Sequence, residues 1–72
     1  EKKYYIKLNL NRGPVYLNVN KTTGNWIFET RSETSSYKTQ FTQEKIDAMQ
    51  KDPRAKGLDL NVLKVEVPED EL

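Results

Sequence analysis

Seventy-two residues make one small domain, because a chain this short cannot enclose two separate cores. Charged residues reach 32% against 35% hydrophobic, yet the net charge is only +1, which favours a thin core over disorder. Histidine and cysteine are absent, so Ser-His-Asp and Cys-His catalysis, redox thiols, disulfides, and zinc or haem ligation through these side chains are excluded.

The first half alternates with period two. In Tyr4-Tyr5-Ile6-Lys7-Leu8-Asn9-Leu10, the even positions form an apolar face, while Tyr5, Lys7 and Asn9 share the other. Asn11-Arg12-Gly13-Pro14 is turn chemistry, since Gly accepts positive φ and Pro fixes its own. Val15 to Asn20 resumes the alternation. Setting Leu10 opposite Val15 pairs Leu8 with Leu17 and Ile6 with Val19, all on one face.

Lys21-Thr22-Thr23-Gly24 reads as a hairpin loop with Gly24 at its left-handed position. The Asn20-Lys21-Thr22 triplet also fits a glycosylation acceptor, although turn formation accounts for these residues fully. The third strand, Asn25 to Arg31, then pairs Val19 with Trp26 and Leu17 with Phe28. Ser32 to Ser36 is a polar connection, and a short strand over Tyr37 to Gln40 completes a meander.

Thr42 suits a helix N-cap, with Glu44 in the first turn, and Phe41 and Ile46 at the spacing of a hydrophobic staple. Ile46 and Met49 define the inward stripe, and Pro53 stops the helix near Asp52. So short a helix must dock on a sheet to persist. Leu63, Val65 and Val67 alternate with Lys64 and Glu66 as a closing strand, followed by Pro68 and an acidic end. The expected architecture is α+β, in two layers. A three- to four-stranded antiparallel meander is covered on one face by a helix over about 42–51, with a C-terminal strand over about 62–67. Residues 1–68 form the domain, and 69–72 a mobile acidic tail.

Chemistry is sparse. Glu44 and Asp47 share a helix side, which reads as a solvated surface rather than a metal site. Single glycines at 13, 24 and 57 build no phosphate-cradling loop. No enzyme, cofactor or metal is expected. Basic side chains gather in the first three strands (Lys2, Lys3, Lys7, Arg12, Lys21 and Arg31, against Glu1 and Glu29), together with aromatics. The face turned from the core carries Tyr5, Lys7, Tyr16, Asn18 and Arg31. Tyr and Arg are favoured at protein interfaces, so a protein partner is the first expectation, with Tyr5 and Tyr16 as rigid contact surface and Lys7 and Arg31 as polar anchors. Single-stranded nucleic acid, stacked on the same face, is the alternative. No apolar run approaches the ~18 residues of a membrane span and no signal-peptide pattern opens the chain, which predicts a soluble protein without membrane contact.

Tyr4-Tyr5-Ile6-Lys7-Leu8, Tyr16-Leu17-Asn18, Thr22-Thr23-Gly24, the run from Tyr37 to Ile46, and Lys64-Val65-Glu66-Val67 together resemble a domain-of-unknown-function family of small phage and prophage proteins from Gram-positive bacteria. The resemblance spans most of the chain and is most specific in Lys38-Thr39-Gln40-Phe41-Thr42-Gln43-Glu44-Lys45-Ile46. It implies a cytoplasmic setting in a bacterial host, a phage accessory role with a host or phage protein as partner, and no catalytic residues. It also implies a domain cut from a longer chain, consistent with the lack of an initial Met.

Overall fold

The computed structural model describes residues 1–31 and 36–72. Three strands run as an antiparallel meander: β1 (Tyr4–Leu10), β2 (Gly13–Asn20) and β3 (Trp26–Glu29). A short β4 (Tyr37–Lys38) precedes helix α1 (Gln43–Gln50) and a 3-10 turn at Pro53–Ala55. A single helical turn, α2 (Leu60–Leu63), leads into β5 (Lys64–Glu66), and a second 3-10 turn spans Glu69–Glu71. The sheet order is β3-β2-β1-β5, with β4 beside β2.

The hydrophobic alternation fixes the faces as expected. Ile6 and Leu17 are buried with Phe41, Ile46, Met49, Ala55 and Leu60, and Tyr4, Val19, Trp26, Phe28, Leu58 and Leu63 pack around them. The second hairpin keeps the expected register, Val19 opposite Trp26 and Leu17 opposite Phe28. Asn20 Oδ1 accepts from the Thr22 and Thr23 amides, at 2.8 and 2.9 Å, which is the turn chemistry of that triplet.

The first hairpin departs from expectation by two residues. Leu8 faces Val15 and Lys7 faces Tyr16, so the loop shrinks to Asn11-Arg12 and Pro14 joins β2. An even shift leaves every side chain on its own face, so burial alone does not choose between these registers. Turn geometry does. Gly13, at φ 123°, supplies the positive φ that closes the tight loop. Pro14 lies beyond the last β2–β3 pair, where its missing N–H removes no ladder bond. At the hairpin tip, Leu10 remains exposed.

Expected beside β3 as the end of the meander, β4 instead pairs with the opposite edge of β2, at Val19 and Asn20. The β1–β2 ladder spans Lys7 to Leu10, and the segment after β4 crosses to β1 where Phe41 and Tyr4 exchange two 2.8 Å backbone bonds. This segment fills the fork between diverging strands and carries Phe41 into the core.

The Thr42 hydroxyl caps α1 by accepting from the Lys45 amide, and Ile46 and Met49 are its buried residues. The C-terminal strand is shorter than expected. Val62 and Leu63 belong to α2, because the Asp59 side chain caps that turn from the Asn61 amide. Gln50 fixes the connection: its Nε2 donates to Leu58 O and its Oε1 accepts from Leu60 N, both at 2.8 Å. Gln43 bridges the other end of α1, accepting from Lys64 Nζ at 2.6 Å and donating to Asn61 and Asp47. No helix among the described residues is long and apolar enough to cross a membrane.

Candidate functional site: the outer sheet face

Side chains that leave the core by alternation meet on the opposite face of the sheet. Tyr5 and Tyr16 lie edge to face with centroids 5.7 Å apart. The Arg31 guanidinium covers both, 4.4 Å from the Tyr5 centroid and 5.3 Å from that of Tyr16, in cation–π geometry. Arg31 NH1 and the Tyr5 hydroxyl both donate to Glu71 Oε1 at 2.8 Å. Gln40 Nε2 donates to the Tyr5 hydroxyl and to Glu71 O, each at 3.3 Å. One phenol and one guanidinium therefore converge on a single carboxylate, and the Gln40 amide holds the backbone carbonyl of the same residue.

The protonation states follow from these contacts. The Tyr5 hydroxyl first, and Arg31 second, hold the Glu71 carboxyl below the usual carboxylate range. Burial, then the bond to Glu71, pushes Tyr5 up. The Glu71 carboxylate raises Arg31.

Of the residues singled out in the sequence, Tyr5, Tyr16 and Arg31 come together here. Tyr5 is only 5% exposed, however, so its ring is not the open contact surface that alternation alone suggested. Glu71, in the segment expected to be a mobile tail, lies in a 3-10 turn whose carboxylate is bonded to Tyr5 and Arg31. Asn18, expected to assist binding, is 1% exposed, and its Nδ2 donates to Tyr16 O and Thr30 O. It ties β2 to the residue before Arg31, which positions the guanidinium. Lys7 stands half-buried opposite Tyr16, at the margin of the cluster. Gln40, which alternation in the fourth strand assigns to the same face, joins the cluster. Glu71 was missed by sequence reasoning, because it reaches the site through long-range folding that no local pattern announces. The one available signal was the acidic run facing a basic meander.

A second arginine–aromatic pair sits on the helix side. Arg54 lies 4.5 Å from the Trp26 centroid, grips Asp52 through Nε at 3.0 Å and NH2 at 2.8 Å, and donates to Gly24 O at 2.7 Å. These contacts clamp the β2–β3 loop to the turn after α1. The Asp52 carboxyl is lowered to about 2, chiefly by the Arg54 side chain and backbone donors. Among the described residues, no three His, Cys, Asp or Glu side chains are placed to hold a metal, and Asp47 accepts from Gln43. Compared with family models, curated proteins and solved structures, the chain matches none.

Proposed function

We propose that the chain is a non-enzymatic, phage-encoded interaction module that binds a host or phage protein through its outer sheet face, in the bacterial cytoplasm. The phage setting rests on the resemblance carried by Lys38 to Ile46. The binding mode rests on one observation: Arg31 is stacked on Tyr5 and Tyr16 and bonded to a carboxylate. A planar guanidinium held against aromatic faces recognises carboxylates with directional bonds, and Tyr and Arg recur at the centres of protein interfaces. Single-stranded nucleic acid fits this arrangement less well. Base stacking needs open ring faces, and here Tyr5 is covered while Tyr16 meets it at 70°.

Affinity purification from host cells, followed by titration of the purified partner, tests the reading. Tyr16→Ala and Arg31→Ala are expected to weaken binding while leaving the fold intact. Unchanged affinity in both variants overturns it. Amide-shift titration with a short oligonucleotide separates the two ligand classes, because phosphate contacts weaken linearly with the logarithm of salt.

A further inference from the structure

We infer that Glu71 is an internal stand-in ligand: Tyr5, Arg31 and Gln40 form a carboxylate-binding site whose external ligand is an acidic segment of a protein partner, and the turn at Glu69–Glu71 covers that site until the partner displaces it. This rests on the reading of the outer face as protein-binding, and it names both the ligand chemistry and the regulation.

Cover and site are held unequally. The site is built. Tyr5 is buried, its hydroxyl is oriented by Gln40, and Arg31 is stacked on two rings. Asn18 holds the backbone just before Arg31 in place. Little holds the cover. Pro68 through Leu72 are all exposed, Leu72 at 60%, so the segment anchors no apolar side chain. Its 3-10 turn has only the local bonds Glu71 N to Pro68 O and Leu72 N to Glu69 O. Beyond the buried Val67, whose amide donates to Lys3 O at 2.8 Å, what fastens it is one ion pair, with both side chains 40% exposed, and the bonds from Tyr5 and Gln40. Exposed ion pairs are weak and yield to a competitor that brings the same charge with further contacts.

Charge and neighbouring surface define that competitor. The site accepts a carboxylate through one guanidinium and one phenol. Val65, directly opposite Tyr5 on the β1–β5 pair, is 44% exposed and offers an apolar contact beside it. An acidic side chain next to an aliphatic one, the chemistry of Glu71-Leu72 itself, satisfies both. Displacement also explains how a buried Tyr5 serves as contact surface: its ring and hydroxyl open only when the turn leaves.

The test uses full-length protein and the blocked peptide acetyl-Val-Pro-Glu-Asp-Glu-Leu-amide, followed by amide shifts. Glu71→Gln keeps the shape of the turn and removes its charge. That variant is expected to bind the peptide about tenfold more tightly than the unaltered chain, which carries a tethered competitor at high effective concentration. Shifts should centre on Tyr5, Arg31 and Gln40, and a peptide with Gln in place of its last Glu should not bind. Glu71→Ala should behave as Glu71→Gln does. Equal affinity for variant and unaltered chain, no binding to either, or shifts confined to other surfaces overturns the inference. If both variants lose their dispersed spectra, the turn is a structural strap and the inference fails. Because the peptide assay contains no partner, its failure is distinguishable from failure of the protein-binding reading, which the Tyr16 and Arg31 variants address separately.

Discussion

The Tyr5 hydroxyl donates to Glu71 Oε1 at 2.8 Å, joining the first strand of the sheet to the last turn of the fold. Each group alters the other: the bond holds the carboxyl below its ordinary range and helps push the phenol up. The folded state favours ionised Glu71. Its contribution is therefore complete above the ordinary carboxylate range and is lost as pH falls through the lower, folded value. Carboxyl-carbon NMR should show Glu71 titrating below that range, and Tyr5→Phe should return it upward. A titration unchanged in Tyr5→Phe contradicts the assignment of the phenol as the leading cause.

Asp52 provides a second, separate pH response. With its carboxyl lowered to about 2, Asp52 keeps the Arg54–Asp52 grip fully formed above the ordinary value of 3.8, and the grip dissolves as pH falls through about 2. Trp26 is the single tryptophan and lies under Arg54, so its emission reports the event. A red shift as pH falls through about 2 is expected, and Arg54→Gln should abolish it.

Core truncations should separate sharply by position. Leu17 is fully buried at the sheet centre, so Leu17→Ala is expected to cost about 2–5 kcal/mol by urea unfolding. Leu10, at the hairpin tip, is exposed, and Leu10→Ala should stay within about 0.5 kcal/mol. Similar losses at both positions would mean that the tip is covered in solution.

Gln50 is the polar counterpart. Its amide serves a backbone acceptor and a backbone donor on either side of Asp59, and Gln50→Ala strands both. A loss of about 1–3 kcal/mol is expected, with faster hydrogen exchange at the Leu60 amide. Exchange unchanged at Leu60 would show that water replaces the side chain.

The sequence revealed what short-range physics decides. Period-two alternation gave the faces of β1 and β2, the Gly24 loop gave the second hairpin's register, and Thr42 with Phe41 and Ile46 gave the start of α1. The first hairpin's register stayed hidden, because two registers of the same parity bury the same residues. Val62 and Leu63 read as strand, because Asp59's role as a cap depends on Gln50, which closes the turn from another helix. The outer face was legible as a list of residues. Its cover was not, since Glu71 arrives there only after the sheet has formed.

The interior position of β1 also carries a consequence for biosynthesis. Residues Tyr4 to Ile6 leave the ribosome well before Lys64–Glu66, the backbone that completes their ladder. Until those late residues emerge, the strand offers an unsatisfied edge with tyrosine and isoleucine along it, a template for association with neighbouring nascent chains. Lys2, Lys3 and Lys7 flank that stretch as cationic gatekeepers, so mutual repulsion protects the early strand while it waits for its partner.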